Sequence, residues 1–123
     1  MGKFEIKSSA KGSSFNLLAT NGQVVATSQV YKSLRSAKLG IASVAKNAPI
    51  AEIEDQTAGK VEKKSLPKFE VYSDKAGKTR FRLRAKNGQI IAVGEAYETP
   101  KACFAGVASV KKNAVDAKIV AAS

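Results

Sequence analysis

The chain has 123 residues, 44% of them hydrophobic, with one cysteine, no histidine and a formal charge of +11. That length suits a single body able to bury roughly two thirds of its unfolded surface, and no run approaches the ~20 apolar residues of a membrane span. Cys103 alone permits no internal disulfide, and without histidine the commonest acid–base, zinc and nucleophilic-triad chemistries each lose a member. The opening Met1-Gly2-Lys3-Phe4-Glu5 lacks the apolar core of a secretory leader, so a cytoplasmic protein is expected.

In chain order, the first predicted strand is Phe4 to Ser8. Phe15 to Thr20 and Gln23 to Ser28 follow as alternating runs joined at Asn21-Gly22, a dipeptide suited to the two positive-φ positions of a type I′ hairpin turn. Ser33 then caps a helix on which Ala37, Gly40, Ile41, Val44 and Ala48 recur at helical spacing, so one face packs on the sheet. A glycine costs about 1 kcal/mol relative to Ala inside a helix, and Gly40 implies a close approach to the strands. Asn47 is expected as a left-handed C-cap with Pro49 ending the helix, and Ala51 to Glu54 is a short extended close.

The same order then repeats. Strands are predicted over Phe69 to Ser73, Thr79 to Lys86 and Gln89 to Gly94, with Asn87-Gly88 at the turn. Thr99 is the next N-cap, with Pro100 at the first helical position, where its missing N–H costs nothing. Cys103, Gly106, Val107, Val110 and Ala114 form the packed stripe, Asn113 the expected cap, and Ala117 to Val120 the close. Lys3 to Ile6 aligns with Lys68 to Val71, and Phe15 to Ile53 aligns without a gap with Phe81 to Ile119. The organisation is therefore a first repeat at 1–55, a polar charged linker at 56–67 and a second repeat at 68–123, together one compact domain. The charge is uneven: net +3, +2 and +6 in those three stretches.

Both copies carry Phe-x-Leu-x-Ala, Asn-Gly-Gln, Ala and Tyr, then a helix bearing Ser-Val. The residues are Phe15, Leu17, Ala19, Asn21, Gly22, Gln23, Ala26, Tyr31 and Ser43-Val44, then Phe81, Leu83, Ala85, Asn87, Gly88, Gln89, Ala92, Tyr97 and Ser109-Val110. The pattern resembles the YegP-like family, a bacterial and archaeal group of small proteins of uncharacterised function, over nearly the whole chain except the linker. The resemblance implies an α+β fold of two tandem β-β-β-α-β repeats that share one antiparallel sheet, with helices on one face and exchanged C-terminal strands. It supplies no catalytic residues, and no cofactor or metal is expected.

Function rests on the outward sheet face. Phe81, Leu83 and Ala85 turn toward the helices, so Arg80, Arg82, Arg84 and Lys86 point the other way, roughly 6.7 Å apart, a spacing that suits tracking the phosphates of an extended single strand. The first copy has Ser14, Asn16, Leu18 and Thr20 there. A two-residue turn sets Arg84 opposite Ile91 and Arg82 opposite Val93, so Leu18, Val25, Ile91 and Val93, with Tyr72 as a stacking residue, form apolar docking positions on the same face. The leading reading is a non-enzymatic basic module that binds nucleic acid or another acidic partner through this face. The alternative is a structural or protein-binding module using the mixed face, for docking or self-association. An enzyme ranks third. Glu5, Glu70, Glu95 and Glu98 are explained by pairing to Lys or Arg. Gly77-Lys78-Thr79 lacks the first glycine of a P-loop and reads as a turn, and Cys103 reads as a buried small hydrophobe.

Overall fold

Two hairpins meet in the middle of one sheet. The computed structural model describes residues 2–121. The first copy forms β1 (Lys3–Ser9), β2 (Gly12–Leu18), β3 (Val24–Thr27), α1 (Leu34–Asn47) and β4 (Glu52–Asp55). The second forms β5 (Lys68–Ser73), β6 (Thr79–Arg84), β7 (Ile90–Val93), α2 (Pro100–Ala114) and β8 (Lys118–Ala121). The strand order is β4-β5-β6-β7-β3-β2-β1-β8, with the copies joined where Thr27 faces Val93. The closing strands change places: β4 of the first copy lies beside β5 of the second, and β8 lies beside β1.

Both exchanged pairings are parallel, so the sheet is mixed rather than wholly antiparallel as expected. Parallel neighbours need a connection of a dozen residues or more, because the chain must run back before it can pair. Residues 56–67, which carry no strand or helix, supply that length between β4 and β5.

The hairpin turns also differ from expectation. In each Asn-Gly turn the glycine alone takes positive φ, 86° at Gly22 and 87° at Gly88, while Asn21 and Asn87 do not. Each asparagine instead accepts a hydrogen bond on Oδ1 from the amide two residues on, Gln23 or Gln89, at 3.0 Å. Ala19 pairs with Gln23 and Ala85 with Gln89, which makes each loop three residues with a left-handed glycine last. The expected register holds deeper in the strands, where Leu83 faces Ala92 and Arg82 faces Val93. It slips by one toward the turn, where Arg84 faces Ile90 and Leu18 faces Val24.

The helices lie on one face, over Phe4, Phe15, Leu17, Phe69, Phe81 and Leu83, and meet them with Ile41, Val44, Val107 and Val110. Ser33 and Thr99 cap the helices by accepting from the amides of Ser36 and Ala102. Asn47 and Asn113 are not left-handed caps: each is buried and donates its amide back to the Ser43 or Ser109 carbonyl at 2.8 Å. The left-handed residue after α2 is Asp116, at φ 55°. The close approach at Gly40 and Gly106 is made chiefly by tyrosine rather than by strand backbone. A Cβ there would stand 2.7 Å from Tyr31 Cζ and 2.6 Å from Tyr97 Cζ. Those tyrosines stack on Phe15 and Phe81 and bond through their backbones to Ser13 and Thr79, which fixes the path into each helix. Cys103 is fully buried, and burial pushes its thiol up to about 11.

Candidate functional site

The open face of the second copy is an ion-pair network. Alternation along β5 and β6 sends Phe69, Val71, Phe81 and Leu83 into the core and leaves Lys68, Glu70, Tyr72, Arg80, Arg82 and Arg84 on the other side. Glu70 Oε1 accepts from Arg82 Nε at 2.5 Å and from Arg84 Nε at 2.7 Å, and its Oε2 lies 3.4 Å from Lys68 Nζ. Lys68 Nζ also donates to Glu54 Oε1 at 2.9 Å, which is possible because strand exchange sets Glu54 opposite Glu70. Glu54 further accepts from Gln56 Nε2 at 2.7 Å and from the Lys64 amide at 2.8 Å, so the stretch after β4 folds back onto its carboxylate.

Burial and pairing set the proton affinities. Glu54 and Glu70 are only 2% and 5% exposed. Hydrogen bonding from Gln56, helped by the Lys64 amide and by Lys68, overcomes burial and holds the Glu54 carboxyl down at about 2. Burial pushes Glu70 up, but hydrogen bonds from Arg84 and Arg82 outweigh it, and the net direction is downward. Lys68 is raised, first by its hydrogen bond to Glu54. Asp74 is lowered by Arg80, whose Nε donates to its Oδ2 at 2.7 Å. No buried side-chain nitrogen or oxygen among the described residues lacks a partner.

The four cations expected to form a free row are thus in unlike situations. Arg80 is bound to Asp74, and Arg82 and Arg84 converge on Glu70. Arg84 also donates to the Gly88 carbonyl, and the Arg82 guanidinium stands 4.6 Å over the Tyr72 ring, covering the one stacking candidate. Lys86 lies beyond the end of β6, exposed in the turn.

The apolar positions also divide. Val93 is 38% exposed and Leu18 half-buried, both on the open face. Val25 and Ile91, expected beside them, are buried at 8% and 6%. The physical reason is the register shift, which leaves each as the unpaired residue of a bulge. Each lines a hollow with the other copy's tyrosine, Val25 with Tyr97 and Ile91 with Tyr31. Val24 and Ile90 take their places outward, Ile90 at 40% exposure. Sequence reasoning missed these two, because nothing in Asn-Gly-Gln separates a two-residue loop from a three-residue one. It also missed Glu54 and Lys68, whose meeting depends on the exchange.

Such a site balances most of its charge internally, with four cations set against three carboxylates. No group of three or more His, Cys, Asp or Glu among the described residues could hold a metal, and no helix there is long and apolar enough to cross a membrane. What the fold and the site define is a small module, a duplicated β-β-β-α-β unit with a charged, partly buried salt-bridge network on its open face. The chain belongs to the YegP-like, or UPF0339, family. The profile of a domain of unknown function (DUF1508) matches it twice, over residues 8–55 and 74–120. It is 39% identical over 120 residues to a UPF0339 protein YegP of Yersinia pestis, covering 97% of this chain and 94% of that one. A UPF0339 protein of Treponema denticola is 60% identical over 53 residues, which are 43% of this chain but 91% of that shorter protein. The solution NMR structure of the protein of unknown function yegP from E. coli superposes with a TM-score of 0.80 at 34% identity, covering 98% of this chain and 91% of that one.

Proposed function

We propose that the protein is a protein-binding module that docks a partner through the apolar strip at the centre of its open sheet face. The observation that carries this reading is the pairing of Arg80, Arg82 and Arg84 with Asp74 and Glu70. It leaves little free positive charge beside an outward strip of Leu18, Val24, Ile90 and Val93. Each of these arginines already has its charge balanced by a carboxylate, which weakens its pull on a phosphate, so a nucleic-acid reading of this strand gains less support than a docking one. The strip lies where the two copies meet and is flanked on the second copy's side by paired charges, in keeping with the apolar centre and polar rim of a protein interface.

Photo-crosslinking from within the native host cell tests this. A benzoylphenylalanine at Val93 should yield one discrete protein adduct that the same probe at exposed Lys75 does not, and Ile90→Asp should abolish that adduct. Adducts of the doubled chain mass would identify the partner as a second copy. No adduct, or the same adduct from both positions, would overturn the proposal.

A further inference from the structure

The excess positive charge of this protein is concentrated on the helices. In the ion-pair network of the open face, Lys68, Arg80, Arg82 and Arg84 are set against Glu54, Glu70 and Asp74, an excess of one. The helices carry six cations, Arg35, Lys38, Lys46, Lys101, Lys111 and Lys112, and no acidic residue, and none of the six is in an ion pair among the described residues.

Their placement is periodic. Arg35, Leu39, Ala42 and Lys46 are all exposed, at helical positions i, i+4, i+7 and i+11, opposite the buried Ala37, Ile41 and Val44. Lys101, Ala105, Ala108 and Lys112 repeat that stripe at equivalent positions of α2, opposite Cys103, Val107 and Val110. A cation thus stands at each end of a rod about 16.5 Å long, with small or aliphatic groups between. The two copies have diverged on the open face, where Ser14, Asn16 and Leu18 correspond to Arg80, Arg82 and Arg84, yet all four stripe ends remain cationic. Arg35 and Lys101 stand in the first turn of their helices, where the helix dipole disfavours positive charge and where neither helix has an acid to compensate. Lys86 adds to this layer, because it lines a hollow with Lys46 where α1 meets the second copy's hairpin.

We propose that the helix layer is a docking surface for double-stranded nucleic acid, held through its phosphates without sequence preference. Charge complementarity fits any polyanion, and two features select the duplex. Neither stripe carries an aromatic residue on which an unpaired base could stack, and α2 offers only alanines between its cations, which are poor anchors for a protein partner. A 16.5 Å separation of cations on long side chains spans a groove about 12 Å wide, so each rod reaches phosphates on both strands. The surface is distinct from the sheet face and does not depend on the docking proposed there.

Binding of a fluorescent 20-base-pair DNA duplex across a salt series tests this. Four phosphate contacts predict a slope of log affinity against log salt near −3.6, an affinity loss of about 150-fold between 50 and 200 mM salt. The double variant Lys46→Gln/Lys112→Gln should flatten the slope by about 1.8, whereas Lys3→Gln/Lys7→Gln, which removes equal charge from the exposed open face of β1, should leave it unchanged. No duplex binding at 50 mM salt, equal slopes in both variants, tighter binding to the corresponding single strand, or equal affinity for polyglutamate would each overturn it. All four substituted positions are exposed, and an unchanged circular dichroism spectrum confirms that each variant is folded.

Discussion

At the scale of single residues, a buried carboxylate ties the fold to pH. Folded Glu54 releases its proton near 2, against an ordinary value of 4.5, so between those limits the unfolded chain binds more protons than the folded one. The stabilisation is complete above pH 4.5 and is lost as the pH falls toward 2. Urea midpoints measured from pH 6 to pH 2 should therefore fall less steeply in Glu54→Gln than in the wild type, with the variant less stable above pH 5. Parallel pH profiles would show that Glu54 is not held by Gln56, Lys64 and Lys68. Gly106 makes a steric counterpart. Its replacement by Ala favours an isolated helix by about 1 kcal/mol, but the new methyl would meet the Tyr97 ring, itself stacked on Phe81. Overpacking typically costs ~1 to 3 kcal/mol, so Gly106→Ala should lower the thermal midpoint, and a raised midpoint would mean that the ring moves aside freely.

At the scale of elements, the parts legible in the sequence were those that local chemistry decides. Alternation placed β2 and β6, helical spacing picked out the buried stripes of α1 and α2, and Ser33, Thr99 and Pro100 marked where the helices begin. What stayed hidden depends on which element lies beside which. Asn87-Gly88 located the turn, but the third loop residue, which exchanges Ile91 for Ile90 on the open face, follows from the Asn87 side chain bonding to the Gln89 amide. Arg82 and Arg84 were identifiable as outward cations. Their capture by Glu70 could be read only in part, since a buried acid on β5 also needs Lys68 and the crossing β4 around it. The helical cations were visible in the sequence as composition, and became a surface once the buried side of each helix was known.

At the scale of the whole molecule, the exchange makes each copy incomplete alone. The outer edge of β1 is covered by β8 of the second copy, and β4 has no neighbour except β5. A fragment of residues 1–55 would present a bare β1 edge and a β4 with nothing to pair with, and unpaired edges recruit other chains. A second copy of the fragment offers both missing partners at once, β4 for β1 and β1 for β4, a closed two-fold exchange of the kind seen in domain swapping. The Treponema relative, 91% of which is matched by only 53 residues of this chain, has the length of one such copy. We therefore expect residues 1–55 expressed alone to sediment as a dimer at micromolar concentration, and to lose ordered structure on dilution rather than yield a folded monomer. A concentration-independent monomer with a well-dispersed NMR spectrum would mean that one copy can close its own sheet, and that the exchange seen in the full chain is a consequence of tethering rather than a need of the fold.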